Sequence, residues 1–250
     1  MWLMTGAAWG QPHVGNARVP LSWLHNHYAL PGYGLVAGWD LTGWAAGTQS
    51  VPSVLPGGSA LQNGSTSGVD ANDGAWSLAG WVGDGAVTRC AISVGLGTSP
   101  RTLIAVAKSR VVPSSYGMLL GSGDTLYLAF VQGSGVAYAF SSNFWNSAQH
   151  AVSNATVLAV DTFAMVASVE ATGKHDVWLN TNVMRYTPTG SLASATGYNT
   201  VGSFYRGNAG VLDGTISYVL IYNRALSDAE MLRVYRVLKR NLAVQGVVIP

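Results

Sequence analysis

The chain has 250 residues, which is enough for one all-β domain with a large core. Only 10% of the residues are charged and the net charge is +2, so composition gives no support for nucleic acid as a partner. A single cysteine excludes an intrachain disulfide, and no apolar run reaches the roughly 18–20 residues of a membrane-spanning helix.

The first 33 residues differ from the rest of the chain. They carry Trp2, Trp9 and Trp23 and three of the five histidines, but they show little periodicity. Aromatic residues in a segment without its own pattern suggest an arm that docks either on its own domain or on a neighbour, and an anchor to a partner is the interpretation we adopt. The start of the chain lacks a basic region followed by an apolar stretch, so we expect no signal peptide and folding in a cytoplasm.

Short β-like segments separated by turn residues begin at Gly34. The first predicted strand is Gly34–Trp39, and Thr42–Gly74 is predicted to form long loops because Gly, Ser, Pro and Asn dominate it. The other predicted strands are Trp76–Val82, Val87–Val94, Thr102–Ala107, Gly117–Leu120, Thr125–Val131, Gly135–Phe140, Val157–Val160, Phe163–Val169, Asp176–Leu179, Asn199–Phe204 and Thr215–Tyr222. Their spacing of about 8–15 residues is typical of an antiparallel sandwich.

The last predicted element is an amphipathic helix over about residues 228–242. Ser227 and Glu230 have the spacing of a capping box, and Leu226 precedes the cap as a hydrophobic staple requires. Apolar residues recur at helical spacing, so we expect this helix to pack on the sandwich. Its basic residues, including Arg236 and Lys239, are interpreted as a solvated face.

Three blocks carry a resemblance to the laminin-G-like, concanavalin-A-type jelly rolls. They are Gly34–Leu41, with a Gly-Leu-Val…Trp strand, Asp161–Val183, and Asn199–Met231, which contains Leu-Asp-Gly-x-Ile followed by Tyr-Asn-Arg-x-Leu-Ser-x-x-Glu. Thr181 stands where the family usually has Gly. The resemblance implies an all-β fold over residues 34–250: a two-sheet antiparallel jelly-roll sandwich with one C-terminal amphipathic helix.

A second resemblance lies in the N-terminal segment. Ala8–Pro12, a Pro-Leu-x-Trp element and Ala29–Trp39 are similar to the leaders of laminin-G-like proteins among the structural genes of tailed bacteriophages. This similarity implies a virion protein, namely a head decoration, head fibre or tail-associated protein, assembled in the host bacterial cytoplasm. Its expected partners are capsid, portal or tail proteins and other copies of itself.

Catalytic patterns are weak in this chain. Glucanases with this fold use paired carboxylates, but the only two glutamates are Glu170 and Glu230, and the second belongs to the capping box. No Gly-x-Ser-x-Gly elbow is present, and Cys90 is interpreted as a small buried apolar residue. We therefore expect no enzymatic activity.

The resemblance also implies a calcium site, although no cofactor is expected to be required. The densest group of oxygen-bearing residues comprises Asp70, Asn72 and Asp73, and Asp213 precedes a glycine in a second turn. The alternative is that these Asp-Gly pairs only mark turns.

Aromatic residues in or near loops suggest a second kind of site. Trp44, Trp145 and Tyr198 would form a glycan-binding surface, whereas the alternative places them in the core or an interface. The sequence thus predicts a non-enzymatic structural or adhesion protein of a virion. The competing interpretation is a carbohydrate-binding module that recognises host surface glycans.

Overall fold

Two antiparallel sheets pack face to face, and an α-helix covers the outer face of the first sheet. The computed structural model describes residues 30–64, 68–92, 100–114, 116–122, 126–133, 136–145, 148–189, 199–203 and 210–250. The all-β two-sheet jelly roll with a C-terminal helix, predicted from the sequence, is confirmed in these residues.

The first sheet contains eight strands within the described ranges. They are β1 (Leu35–Asp40), β4 (Ala75–Ser77), β5 (Gly80–Asp84), β7 (Arg101–Ser109), β12 (Ala164–Ala171), β13 (Lys174–Leu179), β14 (Asn182–Tyr186) and β16 (Asp213–Tyr222). Their order is β14-β13-β12-β7-β16-β5-β4, and β1 pairs with the second half of β16.

The second sheet also has eight described strands, in the order β11-β10-β9-β8-β15-β6-β3-β2. They are β2 (Ser50–Val51), β3 (Leu61–Asn63), β6 (Cys90–Ile92), β8 (Tyr116–Ser122), β9 (Leu126–Gly133), β10 (Val136–Trp145), β11 (Ala148–Leu158) and β15 (Asn199–Val201). Every pairing in both sheets is antiparallel.

Alternation along the central strands of the first sheet creates two apolar layers. In β12, Ala164 and Val166 face the second sheet, whereas Met165, Ala167 and Val169 face the helix. Because both faces of this sheet are buried, its strands are apolar at almost every position.

The helix α1 (Asp228–Ala243) confirms the sequence-based prediction. Ser227 caps it, and Glu230 completes the capping box by accepting the N–H of Ser227 at 2.9 Å. Its buried stripe is Met231, Val234, Tyr235, Val237, Leu238 and Leu242. Burial of each large apolar side chain contributes about 1.5–3 kcal/mol, so packing of this stripe holds the helix on the sheet.

Several predicted elements are corrected by the structure. The segment Thr42–Gly74 contains β2 and β3 as well as loops, and β11 begins nine residues before the predicted Val157. Trp76–Val82 is not one strand but the hairpin of β4 and β5. The chain turns at Leu78 and Ala79, and β5 begins with Gly80 (φ 142°), where a Cβ would lie 2.2 Å from the carbonyl oxygen of Ile216.

The described end of the N-terminal segment packs on the domain. Leu30 is buried in the layer that includes the helix, and the Tyr33 carbonyl accepts the Nε–H of Arg224 at 2.8 Å. Among the helical residues that the structure describes, no segment has the length and apolar content needed to span a membrane.

Candidate functional site

Four tryptophans fix the loops at the end of the sandwich near β2 and β3. The indole N–H groups of Trp39, Trp44 and Trp76 donate to the carbonyls of Ser59, Asp40 and Thr48 at 3.0, 2.8 and 2.8 Å. Trp81 donates to the Asn63 side chain at 2.9 Å. Because each bond joins a ring to a distant loop or strand, the loops are held in one arrangement.

Asn63, at the end of β3, organises the neighbouring turn. Its Oδ1 accepts the N–H of Gly74 at 3.0 Å as well as the Trp81 indole, and its Nδ2 donates to the Gly74 carbonyl at 3.0 Å. The side chain is buried with these polar groups satisfied. Asn63 therefore places the turn of residues 70–73 beside β3.

The turn carries two carboxylates with different environments. Asp70 Oδ1 accepts the N–H of Asn72 at 2.7 Å, and the Asp70 carbonyl accepts the N–H of Asp73 at 3.1 Å. Asp73 Oδ2 accepts the Nε2–H of Gln49 at 2.7 Å. Asp73 Oδ1 and Gln49 Oε1 are buried atoms that accept no hydrogen bond from any described residue. Two acceptor oxygens on hydrogen-bonded neighbours are thus left without a donor among the described residues.

Gly64 lets the carboxylates of Asp73 and Asp70 come close to its backbone. A Cβ at this position would lie 2.0 Å from Asp73 Oδ1 and 3.2 Å from Asp70 Oδ1, so the two oxygens are no further apart than the sum of these distances. Two ligands of one Ca²⁺ lie at most about 5 Å apart, because each Ca–O distance is about 2.3–2.6 Å. The candidate metal ligands are all oxygen atoms, and two of them belong to carboxylates. They therefore fit a hard cation.

The negative charge of Asp73 acts on a residue of the core. Burial, and after it the negative charge of Asp73, raise the pKa of the Cys90 thiol well above its usual value. Cys90 is fully buried, with its Sγ 3.9 Å from Asn63 Oδ1, which confirms its interpretation as a small buried residue. An anionic carboxylate with one unsatisfied oxygen beside an apolar core costs free energy, which a bound cation would offset.

Asp213 lies in a different set of contacts. It opens β16 opposite Asp84 in the first sheet, and its Oδ1 is 2.6 Å from Arg110 Nε. Asn72 joins the turn through its backbone, since its carbonyl accepts the N–H of Arg89 at 3.0 Å. Within the described residues no three His, Cys, Asp or Glu side chains are grouped as metal ligands, so an ion here would rely on two carboxylates and the Gln49 amide.

Trp76 joins this group because its indole donates to the carbonyl of Thr48, the neighbour of Gln49, and Trp44 lies in the same loop between β1 and β2 as Gln49. We call these residues the rim site (Trp44, Gln49, Asn63, Gly64, Asp70, Asp73 and Trp76). Both rings are half-buried and pack against the core with part of the ring exposed. Trp76 was missed by the sequence analysis because it lies within a predicted strand. Its position before a two-residue hairpin turn was the available signal.

The other aromatic residues predicted from the sequence are not placed relative to this region, because their side chains lie outside the described residues. Trp145 ends β10 and its side chain is outside the described set, as is all of Tyr198. The arm residues Trp2, Trp9 and Trp23 also lie outside the described residues.

A second polar group lies between the sheets and was also missed. Glu170 and Arg101 pair across β12 and β7, with 2.8 Å between Oε2 and Nε, and both are at most 1% exposed. Ser168 donates to Glu170 Oε1 at 2.8 Å, and His175 Nε2 lies 4.0 Å from the same oxygen. The sequence did contain a signal for this burial. Glu170 is an even number of positions from Val166 along the strand, so both side chains lie on the inward face. Full burial leaves this carboxylate no route to a substrate.

No family model and no curated protein sequence matches the chain. Solved structures do match. Trypanosoma rangeli sialidase in complex with 2,3-difluoro-KDN has a TM-score of 0.62 at 14% identity, over 88% of this chain and 38% of that chain. A mutant of the same sialidase with trans-sialidase activity gives 0.60 at 13% identity over the same shares. The CBM40 of Ruminococcus gnavus IT-sialidase bound to α2,3-sialyllactose gives 0.48 at 12% identity, over 56% and 84%.

The two sialidase similarities concern the fold alone. The described sheets and helix form a two-sheet antiparallel jelly roll, the fold that the resemblance in the sequence implies. The chain spans 38% of the sialidase chain that it matches. At this level of identity the similarity concerns architecture, and ligands have to be argued from the residues of the site.

Proposed function

We propose that this protein is a non-enzymatic carbohydrate-binding module whose ligand site is the rim site. The observation that carries the proposal is a half-buried indole beside acceptor oxygens that accept no hydrogen bond from the described residues. Trp76 donates to the carbonyl of Thr48, the neighbour of Gln49, and Gln49 Oε1 and Asp73 Oδ1 are those oxygens. The second half-buried indole, Trp44, lies in the same loop as Gln49. Sugar rings stack on aromatic faces while polar groups fix their hydroxyls. This alternative from the sequence analysis is the function that the geometry favours.

The rigidity of the two indoles supports the proposal. Trp44 donates to the carbonyl of Asp40 at the end of β1, and Trp76 donates to the carbonyl of Thr48 in the loop that follows, so both rings are held before a ligand binds. Little conformational entropy is then lost on association, which improves affinity. Gln49 follows Thr48 directly and brings its amide to the same place.

The states of the two glutamates support the absence of catalysis. Glu170 is buried against Arg101, and Glu230 is held by both guanidinium nitrogens of Arg224 at 2.9 and 2.5 Å. A glycosidase of this fold would need one protonated and one ionised carboxyl flanking a cleft. Neither glutamate is placed for that role.

A glycan array tests the binding function. Sialylated glycans belong on it because the similar structures are sialidases. We expect Trp44→Ala and Trp76→Ala each to weaken binding at least about tenfold, or 1.4 kcal/mol. Tyr33→Ala is the matched control, because Tyr33 is an exposed aromatic residue outside the rim site. Absence of any bound glycan on a broad array would refute the proposal.

We also propose that Gln49, Asp70 and Asp73 hold a calcium ion. Bound calcium would neutralise the carboxylates and fix the loop carrying Gln49, while the protein supplies the oxygen ligands and the space above Gly64. A saturating ion at 100 times its Kd would stabilise the fold by about 2.7 kcal/mol.

Thermal unfolding with calcium or with a chelator tests the ion separately from the glycan. We expect calcium to raise the Tm of the natural protein but not of Asp73→Asn. Asp213→Asn, the control, retains the shift because Asp213 is paired with Arg110 elsewhere. An unchanged Tm together with no heat in titration calorimetry would remove calcium from the proposal and leave the glycan result unaffected.

A virion role is the second proposal, and it rests on the sequence pattern of the first 33 residues and on the low charge of the chain. Deletion of residues 1–29 tests it better than deletion to residue 33, since Leu30 and Tyr33 contact the domain. Undiminished co-purification of the truncated protein with phage particles would contradict anchoring through Trp2, Trp9 and Trp23. Failure of the full chain to associate with any particle would contradict the virion role itself.

A further inference from the structure

Within the described residues, β14 is the outermost strand at one edge of the first sheet, and Met184 and Tyr186 are each 41% exposed on it. Natural edge strands usually carry a proline, a bulge or charged side chains against pairing with another chain. The sequence of β14, Asn-Val-Met-Arg-Tyr, contains no proline and its ladder with β13 has no bulge. Its one charged residue, Arg185, is paired with Asp228.

Hairpin geometry shows which backbone groups the edge offers. A two-residue turn, Asn180–Thr181, joins β13 to β14, and Asn180 has φ 54°. In such hairpins the pair that closes the turn, here Leu179 and Asn182, is hydrogen-bonded, and bonded and non-bonded pairs then alternate. The N–H and C=O groups of Val183 and Arg185 therefore point away from β13.

We propose that a second copy of this chain pairs with β14 in antiparallel orientation. Two-fold symmetry requires a self-complementary register. The register is chosen so that the outward N–H and C=O groups of both Val183 and Arg185 are paired. Val183 of each copy exchanges two hydrogen bonds with Arg185 of the other copy, and Met184 faces its own equivalent. This inference does not depend on the glycan proposal.

Charge favours a second copy at this edge. Arg185 Nη2 lies 2.5 Å from Asp228 Oδ2 of the same chain, so the cation that would approach its equivalent across the two-fold axis is already neutralised. On the other face of the strand, Met184 meets Met184 of the second copy and adds apolar contact. A polar or strongly charged partner strand would gain neither the apolar contact with Met184 nor an advantage from the neutralised Arg185.

The size of the edge limits the strength of the dimer. A strand of five residues offers much less area than the roughly 1,200–2,000 Å² of a stable interface. The adjoining edge strand of the second sheet, β11, is tied to β14 because Asn154 Nδ2 donates to the Asn182 carbonyl at 3.1 Å, and it would widen the contact. We expect a dimer that dissociates on dilution.

Cysteine cross-linking tests the register. In the proposed pairing the two copies of residue 184 form a non-hydrogen-bonded pair about 4.5 Å apart between Cα atoms, which a disulfide can bridge. The two copies of residue 186 are displaced by about 13 Å along the strand. Mild oxidation should link Met184→Cys into dimers but not Tyr186→Cys, and Cys90 is buried and stays reduced.

Sedimentation over a concentration series tests the surface. Met184→Lys and Val183→Pro should abolish the dimer, whereas Leu78→Lys, at an 81% exposed position in the β4–β5 turn, should not. Circular dichroism verifies folding, and Met184→Lys alone decides the outcome if the proline variant unfolds. A natural protein that is monomeric at all concentrations, or equal cross-linking at 184 and 186, would overturn the proposal. So would a full chain that dimerises only after deletion of residues 1–29, because that segment would then occupy the edge.

Discussion

Glu170 and Asp73 are two carboxylates that the fold draws toward its interior, and they end in opposite states. Glu170 lies between the sheets with Arg101 at 2.8 Å and Ser168 at 2.8 Å, so both of its oxygens have donors. Asp73 lies at the loop rim with Gln49 on one oxygen, while the other oxygen is buried and accepts no hydrogen bond from the described residues.

The difference separates a structural carboxylate from one proposed to bind a ligand. A buried charge that is fully paired stabilises the fold through its partners, and losing one partner leaves the other charge uncompensated. A buried carboxylate oxygen without a donor costs free energy, which a bound ligand would offset. Gly64 is included in the rim site because a Cβ there would lie 2.0 Å from Asp73 Oδ1.

The largest expected effect comes from breaking the buried pair. Glu170→Ala should destabilise the protein by about 3–5 kcal/mol, because Arg101 would remain charged and buried without a partner. Denaturant unfolding measures this loss. Asp161→Asn is the control, since Asp161 pairs with Lys108 at an exposed position and should change stability by less than about 1 kcal/mol.

A double substitution sharpens this prediction. Arg101→Met combined with Glu170→Met replaces both charges with apolar side chains of similar volume, and should recover most of the stability lost in Glu170→Ala. A double variant as unstable as the single variant would show that the polar cluster with Ser168 and His175, and not the uncompensated charge, determines stability.

The next largest effect is expected at Asn63. Asn63→Ala leaves the Trp81 indole and the Gly74 amide buried without acceptors, at a cost of about 1–3 kcal/mol for each group. Thermal unfolding and glycan binding should both weaken, because the rim site loses its frame. Asn154→Ala is the control, because Asn154 is also a buried asparagine whose amide holds backbone carbonyls but lies in β11, at the opposite edge of the second sheet from β2 and β3. It should lower stability and leave glycan binding intact.

Gly64→Ala should cost about 1–3 kcal/mol, because the residue has φ 71° and the new Cβ would collide with Asp73 Oδ1. Calcium should no longer raise the Tm of this variant. Gly43→Ala is the matched control, since Gly43 has φ 73° but nothing within 4 Å of a Cβ. Equal loss of stability in both variants would show that backbone strain, and not the space above Asp73, explains the effect.

The smallest effect concerns pH. Hydrogen bonds from Arg224 lower the pKa of Glu230 to about 2, from 4.5 in an unfolded chain. The ionised, paired form therefore stabilises the fold above pH 4.5, and this contribution disappears as the pH falls toward 2. The Tm difference between the natural protein and Glu230→Gln should shrink from pH 6 to pH 2. A difference independent of pH would assign the contribution of Glu230 to capping alone.

Local signals in the sequence determined the class of fold and its most regular elements. The Ser227–Glu230 capping box placed the helix start, because capping depends on residues only three positions apart. The apolar runs of β7, β12 and β16 stood out because strands buried on both faces are apolar throughout. The short strands β2 and β3 and the edge strand β14 were missed, since short or polar strands resemble loops in a sequence.

The sites depended on tertiary structure, because their members are distant in the chain. The sequence grouped Asp213 with Asp70 and Asp73 by residue type, but the fold pairs it with Arg110. Gln49 meets Asp73 across 24 positions, and Arg101 meets Glu170 across 69. Strand order and register decide which carboxylate is paired with a basic side chain and which keeps an oxygen without a donor. The periodicity of the sequence carries no information on strand order or register.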